Sequence, residues 1–272
     1  LYTMGRTTAP TQSEQLRTDL EDGNLVVAFL DVGQGDSILI RQGSASLLID
    51  CGDTYAGKDV ADYLADQGLD RLDYMVLTHP HFDHIGGVSA VVAQAVPDTV
   101  YTPDCDEDST LYRDALAALE NNGADIRTAW PGYTFQVGQA KLEFLGPVTL
   151  SEDMNDCSLV LRLTFEDTAF LFMGDAQVTE VRDILASGKE LTADLLKVGH
   201  HGSATATTPE LLEAASARIA VISCGANNAN GHPAPQTIEA LKSAEMEIYR
   251  TDTQGTILAV SDGISIQMTT AR

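Results

Sequence analysis

Residues 74–87, YMVLTHPHFDHIGG, constrain this chain more than any other stretch, because an apolar strand ends there by delivering a cluster of metal-ligating side chains to one loop. His79, His81, Asp83 and His84 follow directly on Met75-Val76-Leu77. Side chains two apart on extended backbone share a face, so His79 and His81 can close on one cation. Asp83 and His84 come after the turn and would face a second. Imidazole combined with carboxylate suits zinc, manganese or iron(II), whereas calcium and magnesium take mostly oxygen. The bland alternative is a polar turn whose histidines happen to cluster, and three of them with an aspartate behind a buried strand argue against it. Gly86-Gly87 is expected to let the backbone turn tightly into a helix.

The rest of the chain is long enough to bury such a site. With 272 residues and 44% apolar side chains, it supports one large core or two small ones. Its 40 acidic and 16 basic residues give a net charge of −24. A field of that sign repels nucleic acid and anionic membrane, which counts against a tight DNA binder but not against an enzyme whose cations supply local positive charge. No run of about 20 apolar residues is present, so no transmembrane helix or signal-peptide core is expected. Cys51, Cys105, Cys157 and Cys224 lack CxxC spacing and outline neither a disulfide framework nor a structural zinc site; Cys51 and Cys157 read as buried thiols.

Residues 1–24 lack a periodic apolar face and read as a flexible tail, followed by a domain over 25–272. Three short Val/Ile/Leu-rich runs, LVVAFLD, DSILIR and SLLID, predict strands. The glycine-punctuated turn from Asp31 to Asp36 can bring side chains toward the cations, or it is a plain hairpin turn. Asp50, at the end of the third run, is a candidate to support the ligands. Helical spacing follows at 57–67 and 86–95, and at 109–122, which starts at a Ser cap and stops at Gly123. Strands are expected near 99–101, 125–128, 133–137 and 140–145. The second half repeats the alternation: LVLRLTF and AFLFMGD, a helix at 177–187, the strand DLLKVG before His200-His201-Gly202-Ser203, a helix near 207–216, the strand RIAVIS, the loop GANNANGHPAP, a helix at 235–245 and three terminal strands.

The pattern His79-x-His81-x-Asp83-His84 resembles the signature of the metallo-β-lactamase-fold hydrolases. DVGQGDSILI at 31–40, LLIDCG at 47–52 and LLKVGHHGS at 195–203 resemble the hydrolase domain of ComEC-type competence proteins, over about residues 25–270. This resemblance implies an α/β fold, a four-layer αββα sandwich with the site at one edge between two sheets. It implies that Asp175, after an apolar strand, bridges two cations, and that a histidine of the 200–201 pair is the last ligand. His200 is chosen on the premise of extended backbone, where neighbours point opposite ways. His232 is implied to aid a leaving oxygen or hold a phosphate, with Ser203 and Asn230 weaker candidates for the same pocket. At 155–156 the chain departs from many superfamily members, offering Asn155 and Asp156 instead of a histidine, which weakens the first site and leans it from zinc toward manganese.

The expected site is therefore His79, His81, Asp83, His84, Asp175 and His200 holding two Zn²⁺ or Mn²⁺, with Asp83 and His232 as catalytic groups and a hydroxide between the cations as nucleophile. The resemblance implies a phosphodiesterase or nuclease of DNA uptake, acting on DNA or another phosphodiester outside the cytoplasm. The competing expectation is a small-molecule hydrolase for a lactone, thioester or cyclic nucleotide, which fits the −24 charge more comfortably. A catalytically dead interaction domain would require lost ligands, and nearly all are present.

Overall fold

The computed structural model describes residues 12–105 and 108–272. Its first element departs from the expected tail: helix α1 (Gln12–Glu21) packs Leu16 into the core, because that leucine is one of the few apolar side chains available to cover the adjacent strand. Residues 1–11 lie outside the described residues. Strands β1 (Leu25–Phe29), β2 (Ile38–Gln42) and β3 (Ala45–Ile49) form an antiparallel meander in the expected places. Next come α2 (Gly57–Asp66), β4 (Arg71–Val76), the single turn α3 (Phe82–Ile85), α4 (Val88–Gln94), β5 (Val96–Thr102), α5 (Thr110–Asn121) and β6 (Asp125–Thr128). Ser109 caps α5 by accepting the Tyr112 N–H at 3.2 Å.

The second half runs through β7 (Thr134–Val137), β8 (Ala140–Gly146), a 3-10 turn (Asn155–Cys157), β9 (Val160–Phe165), β10 (Thr168–Phe172), α6 (Val178–Ala186), β11 (Leu195–Lys197) and a turn (Gly199–Gly202). It ends with α7 (Pro209–Ala215), β12 (Ile219–Ile222), α8 (Pro235–Ser243), β13 (Glu247–Arg250), α9 (Thr251–Gln254), β14 (Ile257–Ser261) and β15 (Ile266–Thr270). The strands make an eight-stranded sheet, β15-β14-β1-β2-β3-β4-β5-β6, and a seven-stranded sheet, β13-β12-β11-β10-β9-β8-β7.

Alternation along the strands sends one set of side chains to each face. Val27, Phe29, Ile40 and Val76 of the first sheet meet Phe144, Leu161, Phe170 and Phe172 of the second in a shared apolar layer. The opposite face of the first sheet is covered by Val60 and Leu64 of α2, Val91 of α4 and Leu119 of α5. That of the second is covered by Val181 and Ile184 of α6, Leu211 of α7 and Leu241 of α8. The result is the four-layer αββα sandwich, which is the arrangement that buries both faces of both sheets. Among the described residues no helix is long and apolar enough to cross a membrane.

This topology creates the site edge. Strands β3, β4, β5 and β6 are parallel and so end on one edge of the first sheet. Strands β10, β11 and β12 are parallel and β9 begins where β10 ends. The Leu159 N–H donates to Thr78 O at 2.9 Å, so the two edges are the same edge.

Glu180 of α6 is only 1% exposed and accepts the Val148 N–H at 2.8 Å, tying the helix to the loop that leads from β8 to the 3-10 turn. Burial, followed by the Asp183 and Asp156 charges, pushes its carboxyl up to about 8 against that hydrogen bond. A raised carboxyl stabilises the fold fully below its ordinary value of 4.5, and that contribution is lost as pH rises through the folded value of about 8. We expect Glu180→Gln to remove this part of the decline, so that urea midpoints of variant and wild type diverge in the variant's favour between those limits; parallel curves across that window would contradict the assignment.

Candidate metal centre

Asp175 follows β10 by three residues and is 2% exposed. Its Oδ2 lies 3.4 Å from His84 Nε2 and His201 Nε2 and 3.8 Å from His79 Nε2 and His200 Nε2. His79 Nε2 faces His81 Nδ1 at 3.0 Å, and His84 Nε2 faces His201 Nε2 at 3.3 Å. Asp83 Oδ2 completes the group, 3.3 Å from His201 Nε2. All six expected ligands, His79, His81, Asp83, His84, Asp175 and His200, therefore converge, and His201 joins them. His79, His84 and Asp175 form one compact triad and Asp83, His84 and His201 another, with ligand atoms within 4.8 Å of one another in each.

The choice between His200 and His201 rested on extended backbone, and the backbone there is left-handed at both residues (φ 50° and 53°). Both rings consequently swing to the same side. His201 is buried and reaches Asp83, His84 and Asp175, whereas His200 is partly exposed and its ring nitrogen reaches Asp175 alone among these groups. Gly86 and Gly87 also act differently from expectation. Both have ordinary helical φ, and what they provide is closeness: a Cβ on Gly87 would sit 2.1 Å from Cys51 O, and one on Gly86 2.5 Å from Phe82 O. Gly35, at φ +142°, does need its glycine conformation, and it lets the Asp36 N–H donate to Asp83 O at 3.2 Å.

Hydrogen bonds fix which nitrogen each ring presents. His84 Nδ1–H donates to Asp50 Oδ2 at 2.7 Å, His201 Nδ1–H to Ser223 O at 3.1 Å, and His79 Nδ1–H to Thr78 Oγ1 at 3.1 Å. Thr78 Oγ–H in turn donates to Asp50 Oδ2 at 2.6 Å, and the Thr78 N–H to Asp50 Oδ1 at 2.8 Å. Three Nε2 lone pairs are thus left facing inward, and facing lone pairs need a cation or a proton between them. Two imidazole nitrogens at about 2.05 Å on a tetrahedral zinc stand about 3.3 Å apart, which matches the His84 and His201 pair. Asp175 Oδ1, Asn155 Oδ1 and His200 Nδ1 are buried without a hydrogen-bond partner, as unused ligand atoms would be. The donor set fits divalent cations.

Electrostatics agree. Burial alone would push His84 and His201 down, yet Asp175 together with Asp50 at the first ring, and with Asp36 and Asp83 at the second, leaves both well above the usual imidazole value. Burial dominates at His79, which falls well below it. Burial would raise Asp83 and Asp175, but the histidines hold both carboxyls below their usual value.

Asp36 was placed by sequence only in a turn that can approach the cations. It lies 3.4 Å from His201 Nδ1 and forms a 2.8 Å ion pair with Lys197, both groups almost fully buried. Asp156 accepts the Gln177 N–H at 2.8 Å and so braces the loop after Asp175, while the neighbouring Asn155 Oδ1 is buried without a hydrogen-bond partner. His232 comes to the site from the loop after β12, its ring centroid 5.4 Å from that of His200 and its Nδ1 buried without a partner. Burial and then the neighbouring His200 push its imidazole down. Ser203 is taken up in a turn with Thr205, and Asn230 is exposed. A surface cleft of about 690 Å³ between α7 and α8 is lined by none of the clustered residues, so converging polar groups, not cavity size, mark the site.

Asp50→Asn would set an amide NH₂ or a lone oxygen against three donors. We expect it to lower manganese and zinc affinity about 10- to 100-fold while the protein stays folded, read by equilibrium dialysis with metal analysis; unchanged affinity would show that Asp50 does not orient His84.

A family model described as the metallo-beta-lactamase superfamily matches residues 30–226. ComE operon protein 3 of Bacillus subtilis (strain 168) is 27% identical over 250 residues, covering 85% of this chain and 32% of that protein. Competence protein ComA of Neisseria gonorrhoeae is 31% identical over 240 residues, covering 87% of this chain and 32% of that protein. The chain thus spans about a third of the length of these relatives. Among solved structures, the metallo-beta-lactamase fold protein YhfI of Bacillus subtilis superposes with a TM-score of 0.56 at 16% identity, over 84% of this chain and 96% of that one. The family match over most of its length and the competence proteins among its relatives lead to one assignment: this chain belongs to the metallo-β-lactamase superfamily, as a hydrolase.

Proposed function

We propose that the chain is a binuclear, metal-dependent phosphodiesterase that cleaves DNA outside the cytoplasm during uptake. The observation that carries this reading is Asp175, a buried carboxylate ringed by four imidazoles with Asp83 alongside, a donor set that suits two cations sharing one carboxylate. When bound, two divalent cations supply Lewis acidity to a phosphoryl oxygen and acidify water. His79, His81 and Asn155 would hold one cation, Asp83, His84 and His201 the other, with Asp175 between them and His200 beside it. Asp83, kept ionised by His201 and His84, accepts a hydrogen bond from the attacking water and orients it. His232, kept neutral by burial and the neighbouring His200 and with an unpartnered Nδ1 at the rim, would offer its ring N–H as a hydrogen bond to the leaving oxygen or to a phosphate. The named competence relatives favour DNA as the phosphodiester.

A second reading, a small-molecule hydrolase, draws on the charges. A DNA substrate would need some of the few basic residues, among them Arg41, Lys58, Lys197 and Arg250, near the metal face to break the acidic field locally. Lys197 is buried against Asp36, Lys58 pairs with Asp62, Arg250 with Asp252, and Arg41 donates to Gln67 O. Each is committed, so phosphate contacts from them are few.

The test is a manganese-versus-zinc activity panel with linear DNA and bis-p-nitrophenyl phosphate. We expect both to be cleaved, and Asp83→Asn to lower kcat about 100-fold or more with KM little changed. Turnover of a lactone or thioester with neither phosphodiester touched would favour the second reading. Because screening relieves repulsion from a −24 protein, raising salt from about 50 to 200 mM should spare or raise kcat/KM on DNA, whereas a steep fall would reveal several Lys or Arg contacts to phosphate.

A further inference from the structure

Two of the four cysteines meet at the site edge. Cys105 leaves β5 and Cys157 ends the 3-10 turn before β9. The backbone brings these segments together from both sheets: the Leu77 N–H donates to Tyr101 O at 3.0 Å on one side, and the Leu159 N–H to Thr78 O at 2.9 Å on the other, so the strand that feeds the metal loop stands between them. Above it the Cys105 thiol hydrogen-bonds the Cys157 sulfur, which also lies 3.3 Å from Ser151 O. Cys105 is partly exposed and Cys157 is 1% exposed. The other two are held apart, Cys51 in the layer under α2 and α4, and Cys224 beside Thr251 and Asp252.

We infer that Cys105 and Cys157 are a disulfide site that clamps the two sheets together beside the metal centre. The oxidant is a small-molecule or protein disulfide. The Cys105 thiolate, the accessible one, attacks it, forming a mixed disulfide and releasing one thiol of the oxidant. Cys157, already in contact, attacks the Cys105 sulfur and releases the second. Two protein thiols lose two electrons and two protons, and one oxidant disulfide becomes two thiols. The bond closes a loop of roughly fifty residues, long enough for a sizeable restriction of the unfolded chain, and it pins the turn that carries Asn155. In an oxidising compartment such a bond persists. The inference holds whether or not the neighbouring cluster binds metal.

The test equilibrates the full chain with excess oxidised glutathione, alkylates it, and maps peptides without reduction. Expected are a Cys105–Cys157 linked peptide, loss of two of the four titratable thiols, and a rise in melting temperature of about 5–10 °C that reductant reverses. Cys157→Ser should retain glutathione on Cys105 and show no such rise. Four surviving thiols, linkage through Cys51 or Cys224, or a stable glutathione adduct on wild-type Cys105 would each overturn the inference.

Discussion

The Asp175 carboxylate is the interaction on which the site edge depends. A buried charge in an apolar sandwich is tolerated only when opposite charge and hydrogen bonds compensate it, and Oδ2 is surrounded by four imidazoles within 3.8 Å. Those rings come from two different sheets, so the carboxylate holds together segments nearly a hundred residues apart in the chain. With Asp36, Asp50 and Asp83 it makes four carboxylates at one edge, three of them almost wholly buried. Such a concentration of negative charge is stable only against cations. Protonated histidines serve in part, and divalent metals would serve better.

Around this centre the protein spends polar groups on orientation. Asp50, Thr78 and Ser223 touch no other inward-facing ligand atom, yet together they decide which nitrogen three histidines present. The Asp36 and Lys197 ion pair is a related device: Lys197 is the last residue of β11, and its ammonium is used inside the protein instead of at the surface. The pair neutralises one of the buried carboxylates at the site edge from within. With Lys197 buried against Asp36 and Arg250 paired with Asp252, neither is free to grip a phosphate, so bound metal would carry more of the affinity for an anionic substrate.

The sequence by itself determined the fold class and most of the residues that cluster at the site edge. Alternating Val, Ile and Leu runs place β1 to β4 and β9 to β12 because their periodicity reflects burial on one or both faces, a local property. His79, His81, Asp83 and His84 were legible because strand-to-loop spacing controls which way short-range neighbours point. Asp175 and His232 were legible only through resemblance, since nothing in their local pattern says that they approach the histidine loop. Tertiary structure alone decided the rest. His201 reaches Asp83, His84 and Asp175 because both residues of the pair are left-handed, a backbone state that residue type does not announce for histidine. Asp36 and Lys197 pair across two sheets, 161 residues apart in the chain; Leu16 finds a core that its own segment gives no sign of; and Cys105 meets Cys157 because the ends of β4, β5 and β9 share one edge. Each of these depends on packing between distant segments, and sequence spacing carries information only about near neighbours.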